Sequence, residues 1–521
     1  MAQINVTNLT FHYENSFDNI FENVSFSIDT NWKLGFVGRN GKGKTTFLNL
    51  LLGKEEYMGS ITTTTVFDYF PYKIKDEWLS ECASDFIDRI KTDCELWKVF
   101  CELDKLEADS EILYRPFRTL SHGERTKVML AVLFSGENNF LLIDEPTNHL
   151  DRDSRECVKK YLMQKKGFIL VSHDRDLLDA CVDHVLVLNR ATIEVQTGNF
   201  SSWWENKMKK DHFSEMENEK HKKEIVKLEK ASERVRKWAD KSESTKIGFD
   251  PVKEHDRCLS TRSYIGAKTK KMQSRVSQME KRIDKEIEEK EGLLQDIEKS
   301  IDLKIMPLSH YKKTLITARD YSIRYSDGQE SVFDNLTFEL SQGERVFLNG
   351  KNGCGKSSLI KAILQAVKEK SSQDSLSGTQ SGIIVPNNMV FTGTLETAPN
   401  LIISYINQDT SFLKGSIKEF CKDWNLEESL FCALLRQLDM ERVQFSKNME
   451  DYSEGQKKKV LIAASLMTPA HLYIWDEPLN YIDVFSRMQI EKLILTYEPT
   501  MLIVEHDVRF REKIATSTVE W

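Results

Sequence analysis

Long apolar stretches are missing from this chain of 521 residues, and its cysteines are few and scattered. No uncharged apolar run approaches the roughly 18 residues that a membrane-spanning helix needs, so we expect no transmembrane segment. The first residues show neither the basic region nor the apolar region of a secretory signal. The nine cysteines include no C-x-x-C pair, which argues against a zinc site or a disulfide framework. We therefore expect free thiols and a cytoplasmic protein.

The remaining composition is that of a globular protein with a surplus of charge. Hydrophobic residues make up 40% of the chain and charged residues 30%, which argues against wholesale disorder. At about 100–200 residues per domain, the length predicts two or three domains. The net charge of -8 argues against a general nucleic-acid-binding protein, although the charge is unevenly distributed along the chain.

A repeated glycine-rich segment is the strongest signal. Residues 35–46 and 347–358 both contain the pattern G-x-x-x-x-G-K-[ST], and each pattern follows a short apolar segment and precedes a helical one. Such a loop wraps its backbone N–H groups around phosphates, while its lysine neutralises the β and γ oxygens. The residues predicted to bind nucleotide are Gly38, Asn40, Gly41, Gly43, Lys44, Thr45 and Thr46, and then Gly350, Asn352, Gly353, Gly355, Lys356, Ser357 and Ser358.

Two apolar segments that end in paired acids extend the repeat. Residues 140–143 and 472–475 are typical of buried parallel strands, and each is followed by an aspartate and a glutamate. Unpaired carboxylates at the end of a buried strand are costly unless they serve a site. The predicted Mg²⁺ ligands are Thr45, Asp144, Ser357 and Asp476, and the predicted bases that orient water against the γ-phosphate are Glu145 and Glu477.

Two further pairs of motifs point the same way. Residues 120–124 and 452–456 resemble the LSGGQ signature of ATP-binding cassettes, and their serines precede the paired acids' aspartates by 23 residues in both halves (144 − 121 and 476 − 453). The signature residues predicted to bind nucleotide are Ser121, Gly123, Ser453 and Gly455. His173 and His506 each follow a third apolar segment and resemble the switch histidine that contacts the γ-phosphate.

Other positions match the cassette pattern less uniformly. Tyr13 and Tyr325 stand where cassette proteins stack an aromatic ring on adenine, and packing on the sheet is the alternative. Gln408 fits the Q-loop, whose glutamine is a Mg²⁺ ligand, whereas Tyr72 stands at that place in the first half. Tyrosine is a poor Mg²⁺ ligand near neutral pH. Together with two replacements in the second signature, these departures predict two unequal ATP sites.

The motifs predict an α/β fold with two ABC-type P-loop ATPase domains, residues 1–200 and 305–521. Cassette chemistry closes two such domains head to tail. Site one then combines the first phosphate loop with the second signature, and site two combines the second phosphate loop with the first signature. Two cassettes on one chain raise the effective concentration of the partner, so we expect a monomer. Residues 371–400, rich in Ser, Thr, Gly and Asn, predict a hairpin or a mobile loop.

Residues 201–304 belong to neither cassette, and their only proline is Pro251. Apolar residues at spacings of three or four predict two antiparallel amphipathic helices, a long hairpin joined near residues 247–262. These residues are Ile225, Leu228, Val235, Trp238, Val276, Met279, Ile283 and Ile287. Residues 220–282 contain 19 Lys and Arg against 9 Asp and Glu, a local charge of +10 that leaves -18 for the rest. This excess predicts an anionic partner, and a solvated helical spacer is the alternative.

Twin cassettes with a basic helical linker between them resemble the ABC-F family over nearly the whole chain. The resemblance implies an ATP hydrolase that uses ATP and Mg²⁺ and binds the 70S ribosome at the E site. Its linker would reach P-site tRNA and the peptidyl transferase centre of 23S rRNA. Residues 263–272 resemble the second linker helix of Vga- and Lsa-like members, which counter lincosamides, pleuromutilins and streptogramin A. The predicted RNA contacts are Phe249, Arg257, Arg262, Tyr264, Lys268, Lys270, Lys271 and Arg275.

Three other functions fit parts of the pattern. A housekeeping ABC-F translation factor shares the architecture and would affect growth without changing drug susceptibility. The ATPase subunit of a drug exporter would need a separate membrane partner, and it gives the basic linker no role. A DNA-repair or chromosome ATPase would need a longer arm or cysteine ligands for zinc. We expect ribosome protection by drug displacement, with ATP closing the cassettes and hydrolysis releasing the protein.

Overall fold

The computed structural model describes residues 3–13, 19–92, 94–136, 139–148, 150–189, 192–244, 304–325, 331–370 and 389–521, together with 270, 274, 276–279, 281–283 and 285. The chain divides into two compact units. One contains residues 1–203 and 300–521, which include both predicted cassettes, and the other contains residues 204–299.

The first cassette combines a mixed sheet with a smaller antiparallel one. Its strands are β1 (Gln3–Phe11), β2 (Phe21–Asp29), β3 (Lys33–Val37), β4 (Met58–Thr62), β5 (Val66–Phe70), β6 (Asn139–Asp144), β7 (Phe168–Val171), β8 (His184–Leu188) and β9 (Ile193–Thr197). The larger sheet has the order β5-β6-β7-β3-β8-β9, parallel except for the last pair, and the smaller one has the order β2-β1-β4. The helices are α1 (Lys44–Leu51), α2 (Ala83–Ile90), α3 (Leu96–Lys105), α4 (His122–Phe134), α5 (Arg152–Met163) and α6 (Arg175–Cys181). Short 3₁₀ helices span Asp76–Ser80, Ser110–Tyr114 and Phe117–Thr119.

The second cassette repeats this plan. Its strands are β10 (Thr314–Tyr325), β11 (Ser331–Ser341), β12 (Arg345–Asn349), β13 (Met389–Thr397), β14 (Ile403–Ile406), β15 (Leu472–Asp476), β16 (Met501–Val504) and β17 (Ser517–Glu520). They form a parallel sheet, β14-β15-β16-β12-β17, and an antiparallel one, β11-β10-β13. The helices are α8 (Lys356–Lys370), α9 (Ile417–Asp423), α10 (Glu428–Gln437), α11 (Glu454–Met467), α12 (Val484–Tyr497) and α13 (Val508–Ile514). Short 3₁₀ helices span Arg442–Ser446 and Met449–Asp451.

The central strands are apolar because both faces of each parallel sheet are covered. Every residue of β7 and of β16 is buried, as the run of four apolar residues in each predicts. Strands β6 and β15 run side by side with them and end at the paired acids. The α/β prediction with two cassettes is therefore confirmed, and the acids lie at the carboxyl edge of each sheet.

Glycine is required where each phosphate loop enters its helix. Gly43 has φ 107° and Gly355 has φ 100°, a conformation that other residues resist. A Cβ on Gly43 would lie 2.5 Å from Ile20 Cγ2, and one on Gly355 would lie 2.5 Å from Val332 Cγ1. Helices α1 and α8 begin at the next residue, so their free N–H groups face the loop.

The signature serines are helix N-caps. Ser121 Oγ accepts a hydrogen bond from the backbone N–H of Glu124 at the start of α4, and Ser453 Oγ accepts one from Gln456 at the start of α11. Each helix closes a capping box, in which the Glu124 or Gln456 side chain accepts from the backbone N–H of the serine. The serine hydroxyl keeps its own proton, so it can donate to an anion at the helix N-terminus.

The first cassette is followed along the chain by α7 (Phe200–Ser244), a helix of 45 residues that extends about 68 Å at 1.5 Å per residue. The described residues between 270 and 285 are also helical. A long helix is therefore present where the first linker helix was predicted. The predicted hairpin turn near residues 247–262 and Pro251 lie outside the described residues, so the antiparallel arrangement remains a prediction.

Part of the segment 371–400, for which the sequence predicts a hairpin or a mobile loop, is a strand. Residues 389–397 form strand β13, which pairs with β10 as β4 pairs with β1 in the first cassette. The end of this segment is therefore a strand of the small antiparallel sheet. Residues 371–388 lie outside the described residues.

In the described part of the chain, no helix has both the length and the apolar character that crossing a membrane requires.

Candidate functional site: two composite nucleotide sites

In the first cassette, the structure brings the phosphate loop against the first acid. Thr45 Oγ1 donates to Asp144 Oδ2 over 3.2 Å. Lys44 is buried, and its ammonium donates to the carbonyl oxygens of Gly38 at 2.6 Å and Arg39 at 3.2 Å. The lysine thus lies within the concave side of the loop, where the sequence predicts phosphate oxygens.

The second cassette has the same geometry. Ser357 Oγ donates to Asp476 Oδ2 over 3.0 Å. The buried Lys356 ammonium donates to the carbonyl oxygens of Gly350 at 2.7 Å and Lys351 at 2.8 Å. The duplicated motif therefore gives duplicated contacts.

The donor set of each site fits Mg²⁺. A hydroxyl and a carboxylate oxygen meet in both sites, and Mg²⁺ takes hard oxygen ligands. Burial raises the pKa of Asp144, while burial and the neighbouring Glu477 raise that of Asp476 to about 6, so a divalent cation would stabilise the ionised carboxylates. Within the described residues, no cluster of three or more His, Cys, Asp or Glu could hold a metal ion. A Mg²⁺ ion held by few protein oxygens, with water and substrate phosphates completing its shell, matches this arrangement.

The two predicted bases share a strained backbone. Glu145 has φ 50° and Glu477 has φ 47°, values that are rare for residues other than glycine and that concentrate at functional sites. Burial and the charge of Asp144 raise the pKa of Glu145 to about 8, although Lys44 and Arg487 oppose the shift. Burial also raises the pKa of Glu477.

Each predicted switch histidine lies beside the glutamate of its own cassette. His173 Nε2 lies 3.4 Å from Glu145 Oε1, and His506 Nε2 lies 3.8 Å from Glu477 Oε1. Burial lowers the pKa of His173 well below its ordinary value and that of His506 to about 3. Both imidazoles are therefore neutral at physiological pH, with one ring nitrogen able to donate and the other able to accept.

Residues of the second cassette complete site one. Asn40 Nδ2 in the first phosphate loop donates to the carbonyl oxygen of Tyr481 over 2.7 Å. A Cβ on the signature residue Gly455 would lie 2.8 Å from that carbonyl oxygen and 3.6 Å from Asn40 Nδ2, so the loop and the opposite signature are adjacent. Arg39 pairs with Asp439 at the same seam.

A cavity of about 540 Å³ marks site two. Its lining includes Lys356, Ser357, Gln408 and Glu477 of the second cassette, and His122 from the signature of the first. Tyr325, the tyrosine that the sequence predicts to stack on adenine, lines it as well. The first signature therefore meets the second phosphate loop, with His122 as a lining residue that sequence reasoning did not select.

The two tyrosines predicted at adenine also hold the helix that follows each phosphate loop. Tyr13 shares a 2.9 Å hydrogen bond with Thr46, and Tyr325 shares one of the same length with Ser358. Tyr13 packs edge-on against Phe11, with ring centroids 5.0 Å apart, and it is 43% exposed. Tyr13 therefore packs on the sheet and is also partly exposed to solvent, so its packing leaves the predicted stacking on adenine open.

The Q-loop positions differ between the cassettes. Gln408 Nε2 donates to Glu477 Oε2 over 2.9 Å. In the first cassette, Tyr72 donates to Asp68 instead, over 2.8 Å. Tyr69, in strand β5 just before that loop, is the tyrosine that reaches the acids, since its hydroxyl donates to Asp144 Oδ2 over 3.1 Å. Sequence reasoning selected Tyr72 and missed the contact of Tyr69.

Sequence reasoning also missed an acid and an arginine that each cassette directs at the opposite site. They are Asp151, Arg155, Asp483 and Arg487. The pair from the second cassette acts electrostatically on His173, and the pair from the first acts on His506. A sequence signal existed, because both aspartates follow the first acid of their cassette by seven residues (151 − 144 and 483 − 476) and both precede their arginine by four.

The predicted RNA contacts fall almost entirely outside the described residues. Lys270 is described, and it is helical and exposed. Outside the described residues lie Phe249, Arg257, Arg262, Tyr264, Lys268, Lys271 and Arg275.

Comparison with known proteins agrees with this geometry. The family model described as ABC transporter matches residues 21–148 and 333–480, more than half of the chain. The chain is 26% identical to the ribosome protection protein VmlR of Bacillus subtilis, over 99% of this chain and 86% of that protein. It is 25% identical to the ATP-binding protein Uup of Buchnera aphidicola (99% and 80%) and 23% identical to ABC transporter F family member 2 of Arabidopsis thaliana (99% and 76%).

Two solved structures share the fold. The archaeal ribosome recycling factor aABCE1, solved in complex with the ribosomal stalk protein aP1, aligns with a TM-score of 0.58 at 17% identity, over 98% of this chain and 87% of that one. A structure named RNase-L Inhibitor aligns with a TM-score of 0.59 at 16% identity and the same coverage. The twin cassettes and their family match establish that the chain belongs to the ABC transporter ATPase family and, within it, to the ABC-F group of tandem-cassette ATP hydrolases.

Proposed function

We propose that this chain is a cytoplasmic ATPase that binds the 70S ribosome at the E site while ATP holds its cassettes closed. Its linker then displaces drugs from the peptidyl transferase centre. The observation that carries the proposal is the meeting of each phosphate loop with the opposite cassette, at Asn40 and Tyr481 in site one and at His122 in site two. The similarity to a protein named as a ribosome protection protein, over 99% of this chain, supports the ribosome as the partner.

Closure depends on groups from both cassettes at each nucleotide. In site one, Lys44 would neutralise phosphate oxygens, while the capping serine Ser453 offers its hydroxyl from the other side. Lys356 and Ser121 have the same roles in site two. Since each nucleotide needs both halves, ATP adds attraction between the cassettes that ADP, without a γ-phosphate, does not. Bound Mg²⁺ would neutralise charge on the β and γ oxygens.

Hydrolysis then ends the closed state. The glutamate of each cassette accepts a proton from the attacking water as the neutral histidine beside it holds the γ-phosphate. Glu145 and Glu477 share the strained left-handed backbone that concentrates at functional sites, and Glu477 lines the cavity of site two. Loss of the γ-phosphate removes the contacts that join the cassettes, so the glutamates set the time of release.

The first turn of α7 provides a link from the cassettes toward the linker. Ser201 donates to the carboxylate of Asp179 in the first cassette through both its backbone N–H and its hydroxyl. Arg509 of the second cassette donates to the Ser201 hydroxyl over 3.3 Å and pairs with Asp179. Trp203 packs edge-on against Phe485 of the second cassette, with ring centroids 6.1 Å apart. Separation of the cassettes would break these contacts, so we propose that the first turn of α7 responds to closure.

The charge of the linker supports an RNA partner. Residues 257–282 contain 8 Lys and Arg against 1 acid, although the whole chain is acidic. A basic segment on an acidic protein favours an approach to RNA with that segment leading. The likeness of residues 263–272 to Vga- and Lsa-like members favours action against lincosamides, pleuromutilins and streptogramin A.

Ribosome pelleting with the variant Glu145→Gln, Glu477→Gln tests the proposal. The amides keep the shape of the sites but cannot accept the proton, so hydrolysis should fall by about 10²–10⁴-fold while ATP binding persists. We expect this variant to remain on ribosomes after a chase without ATP, whereas wild-type protein leaves. Release at the wild-type rate would contradict the timing role of the two glutamates.

Replacement of Lys268, Lys270, Lys271 and Arg275 with alanine tests the linker separately. Loss of ~4 phosphate contacts should reduce the slope of log affinity against log salt by about 3 on the single-strand scale, while ATPase activity of the free protein persists.

A drug-susceptibility panel in a sensitive bacterium that expresses the chain distinguishes an antibiotic-resistance protein from a housekeeping translation factor. Protection by the wild-type chain, and not by the variant Glu145→Gln, Glu477→Gln, supports drug displacement. Altered growth without protection supports a translation factor. If the protein fractionated with membranes rather than with ribosomes, the alternative function as the ATPase subunit of a drug exporter would be supported.

A further inference from the structure

The second cassette contains a buried lysine where the first has a threonine. Lys458 and Thr126 both lie five residues after the signature serine of their cassette (458 − 453 and 126 − 121). Lys458 is only 3% exposed. An ammonium group is expensive to bury unless nearby groups compensate its charge. Groups near Lys458 must therefore stabilise its buried charge.

The surroundings of Lys458 belong to site two. Its ammonium donates to the backbone carbonyl oxygen of Asn407 over 3.0 Å. Burial lowers the pKa of Lys458, and the carboxylates of Asp476, Glu477 and Glu505 oppose that shift. The predicted metal ligand and the predicted base are thus among the charges that compensate the buried ammonium.

Glu505 is a second difference between the cassettes. It precedes His506, and Ser172 occupies that place before the first switch histidine. Glu505 is 4% exposed and accepts hydrogen bonds from the backbone N–H groups of Leu479 at 3.2 Å and His506 at 2.8 Å. At these two positions, therefore, the second cassette has a buried cation and a buried anion of opposite charge where the first has two neutral residues.

The carbonyl that Lys458 holds lies in the Q-loop. Asn407 is fixed further by its side-chain oxygen, which accepts hydrogen bonds from the Tyr405 hydroxyl and the Asp409 backbone N–H, both over 3.3 Å. The next residue, Gln408, donates to Glu477. A short path thus leads from the buried ammonium, through one peptide unit, to the side chain that contacts the base.

The first cassette fixes its equivalent loop by other means. Tyr72 and Lys91 both donate to Asp68 Oδ2, over 2.8 Å and 2.7 Å, and Lys91 also donates to the Leu133 carbonyl oxygen at the end of α4. These bonds tie Tyr72 and Lys91 to strand β5 and to the end of α4, and none of them involves Glu145. The two cassettes therefore differ in whether the loop tether leads to the base.

We propose that Lys458 is a positioning residue for ATP hydrolysis at site two. Its ammonium fixes the Asn407 carbonyl and thereby holds Gln408 against Glu477, and Glu505 balances its charge. The role rests on hydrolysis at site two and does not involve the ribosome. It is therefore measured with free protein, and its failure is separate from failure of ribosome binding.

The test begins with Lys458→Thr, which installs the residue of the first cassette, in a Glu145→Gln background that silences site one. Loss of a supporting contact should lower kcat by about tenfold, and KM for ATP should change little, because the phosphate loop is untouched. Lys418→Thr, which removes an exposed lysine of the same cassette, is the matched control. Unchanged kcat in Lys458→Thr would overturn the proposal.

A double-mutant cycle with Gln408→Ala separates positioning from general stability. If Lys458 acts through Gln408, then Lys458→Thr should cost less than about twofold in kcat once Gln408 is gone. The same tenfold loss in both backgrounds would show that Lys458 acts independently of this loop, and it would refute the assignment.

The variant Lys458→Thr, Glu505→Ser covers the possibility that the single replacement does not fold. It restores the neutral pair of the first cassette, so no carboxylate is left without its balancing charge. This variant should fold, as thermal unfolding would show, and should keep the loss in kcat. Wild-type kcat in this variant would mean that the ammonium has no positioning role.

Discussion

Sites one and two share a frame but differ in the groups around their acids. In both, a hydroxyl donates to the first aspartate and a neutral histidine lies beside the glutamate. In site one, however, Tyr69 donates to Asp144, whereas in site two Gln408 donates to Glu477. The duplicated motifs therefore preserve the phosphate and metal geometry, while neighbouring residues have diverged. Differences in turnover between the sites should arise from those neighbours.

The electrostatic surroundings of the two bases diverge as well. Burial and Asp144 raise the pKa of Glu145 to about 8 against the opposing cations Lys44 and Arg487, which favours the protonated carboxyl at neutral pH. Burial and Glu505 raise the pKa of Glu477, and the cations Lys458 and Lys356 oppose that rise. A base must be ionised to accept a proton, so we expect site two to supply most of the hydrolysis at neutral pH.

The variant Glu477→Gln gives the largest expected effect on hydrolysis and sharpens the comparison. It should lower hydrolysis at pH 7 by about tenfold, because only site one remains and its base, with a pKa of about 8, is mostly protonated. As the pH rises through the pKa of Glu145, that carboxyl ionises, so the residual activity should increase about tenfold between pH 7 and pH 9. Phosphate release across this range measures it.

The partner variant Glu145→Gln, which leaves only site two, should retain most activity at pH 7. A flat pH profile for Glu477→Gln, or a larger loss in Glu145→Gln than in Glu477→Gln, would contradict the ranking of the sites.

The buried strands and phosphate loops that the two cassettes share could be predicted from the sequence, because the patterns that specify them are local. A run of apolar residues such as 168–171 or 501–504 covers a whole buried strand, and the structure has strands with these bounds. The glycine and lysine spacing of the phosphate loops likewise requires one backbone path. Local pattern and tertiary structure agree wherever a motif fixes its own geometry.

The differences between the sites were largely beyond the sequence. Tyr481 and Asp483 act on the opposite cassette, hundreds of residues away along the chain, so no local pattern contains their contacts. The burial of Lys458 could not be predicted either, since a lysine in a charged run is usually solvated. Tyr69 was missed because its contact with Asp144 depends on the pairing of strand β5 with strand β6, which no local pattern contains.

The seam between the cassettes offers a second comparison, between buried and exposed ion pairs. Arg175 of the first cassette donates to Glu491 of the second, with Nη1 3.2 Å from Oε2, and their side chains are 3% and 5% exposed. The variant Arg175→Ala should lower the free energy of unfolding by about 3 kcal/mol, because Glu491 would remain buried and would keep, among the described residues, the ion pair with the half-exposed Lys513. Denaturant unfolding measures this loss.

The variant Arg175→Met, Glu491→Leu is the control for that measurement. Apolar side chains of similar volume remove both charges together, so this variant should recover most of the lost stability. An equal loss in both variants would show that packing, rather than the uncompensated carboxylate, carries the effect.

The smallest expected effect compares the residue that follows the first glycine of each phosphate loop. Arg39 pairs with Asp439, with side chains 27% and 13% exposed, whereas Lys351 lies 3.5 Å from Asp153, with side chains 79% and 70% exposed. Water and salt screen the exposed pair, so Lys351→Ala should change the free energy of unfolding by less than about 0.5 kcal/mol. Arg39→Ala should cost about 2 kcal/mol, because it leaves a half-buried carboxylate without its partner. Equal losses for the two variants, measured by denaturant unfolding at the same ionic strength, would remove the asymmetry of the seam.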